Sequence, residues 1–487
     1  MHSICLGNNT VDTHNKAQTY SKTNNLEYFG LVSDLDEEFD FASLKNGCYQ
    51  TSICDLSQSR LKELLGYFEN IVLLDQEISD YEHPNEFLNT VRCVAEFDNV
   101  IYQNNKFAHI TYWENLVKDN KSFCIFPFIE YLTTNGKTNV CCRSCMPVAD
   151  KDCDFKNDPG YVNIRQKLLN GERIPHCAKC YALEDNNILS ARIIETVEWA
   201  NRLKLETTDC LSAIDKPVYY EVRPSNKCNL KCRMCGPLNS HLIEEEYREI
   251  GLGVTSSQIY DGFEIVDFEN LHKLYVSGGE PLIMKDFYGF LKKCTQNNKT
   301  DFEFLVNTNA TNLNNTFKKL AKEFSNLQII VSIDGFDKIN QYIRWDTPWH
   351  LLVPNIDYFI ANMQTTFNVT LSIYNVESLY KLFDFIDKRY GEVHTHLQIT
   401  NSDKNDKLSP YNHPDRECVL TNLQKLKECN VYSNIENKSL IDDLIRCYEN
   451  EDYNKDTLKS FFVFNDKLDK HRGVKLEDYL PSIAKYR

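Results

Sequence analysis

Three cysteines share one short stretch, RPSNKCNLKCRMCGP, in which Cys228, Cys232 and Cys235 are spaced C-x3-C-x2-C. The count is informative. A cubane iron–sulfur cluster takes four ligands, so three protein thiolates leave one iron open, much as a catalytic metal keeps an open position. A small molecule with adjacent amine and carboxylate groups could chelate that iron. The bland alternatives are a zinc knuckle short of one ligand, and chance. His241 lies too far beyond Cys235 for a usual zinc spacing.

A second group of thiols lies upstream. Cys124 is followed by eleven residues, Gly136, four more residues and Cys141, and LLNGERIPHCAKCYALE then supplies Cys177 and Cys180 as C-x2-C. Four thiolates suffice to close a cubane or a tetrahedral site. Cys142, Cys145 and Cys153 are near enough to substitute, which leaves the ligand set open. Four-cysteine zinc and four-cysteine iron–sulfur sites share such spacings.

The chain around these clusters has 487 residues, which calls for at least two domains. It is 42% hydrophobic and 25% charged, the balance of an ordinary globular protein. A net charge of −16 argues against a broad nucleic-acid or anionic-membrane footprint. The N-terminal MHSICLGNNTVDTHNKAQTYSK has no apolar h-region, and no stretch approaches a membrane span. A cytoplasmic, reducing location is the expectation. There, clustered members of a set of 19 cysteines bind metal or do chemistry more often than they form disulfides.

The elements that must position the thiols follow from periodicity. Residues 1–25 are polar and expected to be loose, and 26–120 form a small α/β region of unknown role, with a helix at Arg60–Asn70 and a strand after it. Residues 121–215 carry the four-cysteine group. From residue 216 to 400, short apolar runs alternate with helix-compatible stretches: VYYEV (218–222), LHKLYVS (271–277), FEFLVN (302–307), LQIIVSI (327–333), NVTLSIY (368–374) and VHTHLQI (393–399). Such alternation predicts parallel βαβ units in an open or partial α/β barrel, with ligands beyond the carboxyl ends of the strands. Residues 401–487 read as a mostly helical extension.

The motifs in this core resemble those of the radical S-adenosylmethionine (radical SAM) enzymes. The C-x3-C-x2-C follows the first predicted strand, SGGEP (277–281) the second, NTNA (307–310) the third and SIDG (332–335) the fourth. The resemblance implies a partial (β/α)6 barrel and a [4Fe–4S] cluster with an open site on Cys228, Cys232 and Cys235. It also implies S-adenosylmethionine held by Met234, Gly278, Gly279, Glu280, Asn309, Ser332, Asp334 and Arg344. Glu280 is expected at the methionyl amine and Arg344 at the carboxylate. The chemistry implied is reductive cleavage of the cofactor to a 5′-deoxyadenosyl radical that abstracts hydrogen from a substrate.

The upstream thiols are similar to the twitch and SPASM modules, which implies an auxiliary [4Fe–4S] cluster on Cys124, Cys141, Cys177 and Cys180, here N-terminal to the barrel. Relatives with such modules modify peptides or proteins, so a peptide or protein substrate is expected, with flavodoxin or ferredoxin as electron donor. Dehydrogenation of a small metabolite is the competing enzymatic reading; a zinc-binding interaction protein without catalysis is the non-enzymatic one. Cys418, Cys429 and Cys447 are candidate hydrogen donors for an epimerisation, although each reads first as a buried helical cysteine.

Overall fold

A computed structural model describes the strand segments 3–7, 28–31, 48–52, 70–73 and 100–102, and residues 108–144, 146–185, 190–254, 259–260, 262–400, 404–436 and 438–487. The chain divides into two compact units. One gathers Met1–Ile129, Arg143–Met146 and Asp154–Asp215; the other gathers Glu130–Cys142, Pro147–Cys153 and Lys216–Arg487.

In the first unit, five parallel strands run in the order Tyr28–Leu31, Cys48–Ser52, Ser3–Gly7, Asn70–Leu73 and Val100–Tyr102. The N-terminal stretch expected to be loose thus supplies the middle strand, a pairing that depends on partners far along the chain. The helix expected at Arg60–Asn70 lies outside the described residues. Five α-helices follow among the described residues. Pro159–Leu169 starts where Asp158 accepts from the amides of Gly160 and Tyr161, with proline at the first helical position. In Ala191–Arg202, the buried Arg192 pairs with Glu184 at 2.6 Å and donates to the Phe123 carbonyl at 2.6 Å.

The second unit is built on a sheet of ten strands. Six central strands are parallel: β1 (Tyr219–Val222), β2 (Lys273–Val276), β3 (Glu303–Thr308), β4 (Leu327–Ser332), β5 (Gln364–Leu371) and β6 (Thr395–Ile399), and the short Ile435–Glu436 adds to them in parallel beyond β6. Another, Glu130–Thr134, pairs in parallel with β1 and opens an antiparallel run through Lys137–Asn139 and Pro147–Asp150. These three strands lie within the four-cysteine segment of the sequence. They cover the edge of β1, which would otherwise present unpaired backbone groups.

The strands alternate apolar and polar side chains. Leu274, Val276, Phe304, Val306, Ile329, Val331, Phe367 and Val369 are each fully buried. Phe287 and Phe290 pack their rings against Phe304 on that side, and Phe317 packs against Phe287. Each such side chain contributes roughly 1.5–3 kcal/mol by leaving water. The alternate positions, Tyr275, Asn307, Ser332, Asn368, Thr370 and Gln398, are polar and line a cavity on the other face. A mostly parallel sheet with one apolar and one polar face holds a pocket at its strand ends.

After β6 come the helices Arg416–Lys427, Ser439–Asn450 and Lys455–Arg472. The last is capped by the Asn454 side chain, which accepts from the amides of Asp456 and Thr457. It stops at Gly473, whose φ of 69° is the left-handed conformation a helix end favours. Among the described residues, no helix is long and apolar enough to cross a membrane.

Candidate cluster and cofactor site

The loop after β1 brings Cys228, Cys232 and Cys235 to the wall of one cavity of about 430 Å³. Local bonds shape it. The amide of Cys228 donates to His241 Nδ1 at 3.2 Å, and the amide of Cys235 donates to the Cys232 carbonyl at 3.1 Å. Lys231–Cys232 forms an antiparallel bridge with Arg344–Trp345. His241, the residue weighed as a zinc ligand, therefore holds the loop's backbone. The surrounding protein raises all three thiols above their ordinary range, Cys235 to about 11, through burial first and then the neighbouring thiols for Cys232 and Cys235 or Glu280 for Cys228. Thiols that resist ionising alone are stabilised as thiolates by a bound metal.

The two glycines after β2 have a steric reason to be glycine. Gly278 and Gly279 take φ of 79° and 57°. A Cβ on Gly279 would fall 2.3 Å from the Lys227 carbonyl oxygen, and one on Gly278 would fall 3.1 Å from Arg223 Cβ. The turn lies flat against the cluster loop, and the Glu280 amide donates to the same Lys227 carbonyl at 2.8 Å.

Glu280 is held by the protein around it. Its carboxylate is buried and accepts from Thr308 Oγ1 at 2.7 Å and from the amides of Asn309 at 2.6 Å and Leu282 at 3.1 Å. It does not line the cavity. Three protein donors already claim its oxygens, so in this structure it braces the end of β3 against the turn after β2. Burial raises its pKa, opposed by those hydrogen bonds.

The other cofactor-binding candidates reach the cavity. Met234, Gly278, Gly279, Asn309, Ser332, Asp334 and Arg344 all line it. Asn309 donates to Asn229 Oδ1 at 2.9 Å, and Ser332 donates to Asn307 Oδ1 at 3.0 Å. Arg344 Nε lies 2.6 Å from the fully buried Asp334, whose other oxygen accepts from the Thr370 amide. Burial works against the Arg344 cation, but Asp334 and the Cys232 thiol outweigh it and raise its pKa. Spacing did not point to Arg223, Tyr275, Asn368, Thr370 or Gln398, which also line the cavity. For all but Arg223, which follows β1, the signal was the polar phase of alternating strands.

The thiols and the glycine cradle fit an iron–sulfur cluster and a small cofactor beside it. The upstream thiols are split between the units. In the first, Cys124, Cys177 and Cys180 are buried; burial and the adjacent Cys180 push Cys177 up to about 11, and Tyr181 is within electrostatic reach of Cys177 and Cys124. Cys141, also buried, belongs to the second. Cys142 is exposed, with its ligand atom and those of Glu130 and Glu221 within 4.8 Å of one another. Cys153 is half-buried, and Cys145 lies outside the described residues. Cys418, Cys429 and Cys447 sit in the helical extension and do not line the cavity. Cys418 faces Glu377 instead, at 3.8 Å.

Comparison with known proteins bears on this site. Residues 222–386 match the family described as the Radical SAM superfamily. Curated relatives include the GTP 3′,8-cyclases of Helicobacter pylori, 23% identical over 36% of this chain and 54% of that protein, and of Campylobacter fetus, 22% identical over 43% and 64%. The chain thus spans between about half and two thirds of the length of these relatives. Solved structures that resemble it include Streptococcus suis SuiB bound to precursor peptide SuiA (TM-score 0.30, 15% identity, 60% of this chain and 61% of that one). Native anSMEcpe with bound AdoMet is another (TM-score 0.33, 16% identity, 44% and 60%). Residues 222–386 are a radical SAM domain, and such a domain implies one [4Fe–4S] cluster and S-adenosylmethionine.

Proposed function

We propose that this chain is a radical SAM enzyme that abstracts a hydrogen atom from a peptide or protein substrate and carries an auxiliary [4Fe–4S] cluster. The observation that carries the reading is the convergence of Cys228, Cys232 and Cys235, and among the described residues no fourth cysteine, on a cavity walled by polar strand ends. When bound, the cluster and its cofactor supply a 5′-deoxyadenosyl radical. The protein's own residues then do recognisable work. The three thiolates hold the cluster. Gly278 and Gly279 let backbone approach the cofactor. Asn309 and Ser332 offer hydrogen bonds, and the Arg344–Asp334 pair presents fixed charge.

The substrate side of the cavity supports a peptide. Asn368, Thr370 and Gln398 offer amide and hydroxyl groups without net charge, which suits peptide amides. The named relatives suggest a nucleoside triphosphate instead. Against that, the two arginines among the described residues lining the cavity are each ion-paired, Arg223 with Glu221 at 2.8 Å and Arg344 with Asp334 at 2.6 Å. Triphosphate recognition draws on cations not already neutralised. Oxidation of a small neutral metabolite is the second reading, favoured by the same uncharged lining.

Cys124, Cys177 and Cys180, buried in the first unit, are the proposed core of the auxiliary ligand set. A flavodoxin or ferredoxin in the cytoplasm is the proposed electron donor. Anaerobic reconstitution followed by iron and sulfide analysis tests the cluster assignment. Formation of 5′-deoxyadenosine in response to peptide or metabolite pools separates the substrate readings. Zinc alone, without charge-transfer absorption, contradicts the proposal.

A further inference from the structure

We infer that the helix Lys455–Arg472, far from the motif in sequence, is a positioning element for the cluster loop and grips it on both sides of Cys232. The inference rests on the reading that Cys228, Cys232 and Cys235 hold a cluster.

On one side stands Arg233. Its side chain is wholly buried, and every nitrogen is used. Nε donates to the Tyr342 carbonyl at 2.8 Å, Nη1 to Asn465 Oδ1 at 2.8 Å and Nη2 to Asp469 Oδ1 at 2.6 Å. Its guanidinium carbon lies 3.6 Å from the centre of the Tyr342 ring. The network closes on itself. The Tyr342 hydroxyl donates to Asp469 at 3.0 Å, and Asn465 Nδ2 donates to that hydroxyl at 2.8 Å and to Asp469 Oδ2 at 3.0 Å.

On the other side stands Lys231. Its carbonyl accepts from Arg472 Nη2 at 2.9 Å, while the same guanidinium holds the fully buried Glu246 at 2.6 and 2.9 Å. Asn465, Asp469 and Arg472 recur at the spacing of one helical face, so a single rigid element fixes the residues before and after the middle ligand.

A buried ion pair is a poor stabiliser, because desolvation consumes most of its attraction, and apolar replacements often do as well. What a fully satisfied buried network confers is a unique geometry. Here that geometry is imposed on the two residues flanking a thiol that must meet two others at one cluster.

The test compares wild type with Asp469→Ala and with Asp466→Ala, an exposed position on the same helix paired with Arg487. The cluster-free full-length protein is exposed to iodoacetamide, and alkylation of Cys232 and of the buried core residue Cys294 is followed by mass spectrometry. With the clamp broken, Cys232 reacts at least about tenfold faster while Cys294 does not change, because the opening is local. Asp466→Ala matches wild type. Reconstituted Asp469→Ala binds less iron than wild type.

Unchanged Cys232 reactivity, or an equal rise at Cys294, overturns the inference. Should Asp469→Ala fail to fold, Asp469→Asn keeps an acceptor for Arg233 and carries the same comparison. If wild type takes up no iron and sulfide, the functional reading fails, whereas the alkylation result still reports on the clamp.

Discussion

The backbone amide of Asn309 donates to the carboxylate of Glu280 at 2.6 Å, tying the end of β3 to the turn that follows β2. With the bond from Thr308 Oγ1 to the same side chain, it makes Glu280 a hidden crosspiece beneath the cavity floor. Glu280→Ala leaves three buried donors without their acceptor and should cost about 2–4 kcal/mol of stability. Glu280→Gln, which keeps the shape and one acceptor oxygen, should cost less. Urea unfolding of the cluster-free protein measures both; equal, negligible effects would place Glu280 outside the framework.

Gly279→Ala should weaken S-adenosylmethionine binding by about tenfold or more, since the new methyl meets backbone rather than a yielding side chain. Equilibrium dialysis with reconstituted protein reads this directly. Gly289 is a contrasting control: it lies within the helix Lys285–Gln296, with nothing inside 4 Å of an added Cβ. Gly289→Ala should raise stability by about 0.5–1 kcal/mol with binding unchanged.

The fold's acid sensitivity should depend on Glu377. Burial alone would raise its pKa, but His413, 3.1 Å away, and the Ser482 hydroxyl outweigh it and hold the carboxyl below its usual 4.5. Asp415 nearby opposes them. A carboxyl depressed in the folded state contributes stability that is complete above its unfolded pKa and is lost as pH falls through the folded value. Unfolding midpoints should therefore decline as pH drops below 4.5, and Glu377→Gln should flatten that decline. An identical slope in the variant would contradict the assignment.

Cys180→Ala should remove iron in proportion to one cluster while leaving S-adenosylmethionine cleavage in place, if the upstream thiols hold an auxiliary cluster. Iron per chain and 5′-deoxyadenosine yield, measured on the same sample, separate this from a zinc site, whose loss would leave iron unchanged.

Much of the central site was legible because its chemistry is local. Cys228, Cys232 and Cys235 fall within eight residues, and each further motif ends a strand whose apolar alternation is visible in the sequence. What escaped depends on partners distant along the chain. Nothing near Glu280 shows that Thr308 and Asn309 will occupy its oxygens. Arg233 and Asp469 are 236 residues apart, and neither composition nor periodicity pairs them. The strand Glu130–Thr134 sits among the upstream thiols in sequence, yet its register is set by the open edge of β1. Strand Ser3–Gly7 escaped for a like reason: its short apolar run needs neighbours contributed from far along the chain.

The central claim is that three cysteines present an open cluster site to a sulfonium cofactor, and Cys232→Ala tests it most directly. Wild type and variant, reconstituted anaerobically with iron, sulfide and a strong reductant, are given S-adenosylmethionine, and 5′-deoxyadenosine is quantified by mass spectrometry. Wild type should form 5′-deoxyadenosine and the variant should stay at the protein-free background. Undiminished formation by Cys232→Ala would contradict the account.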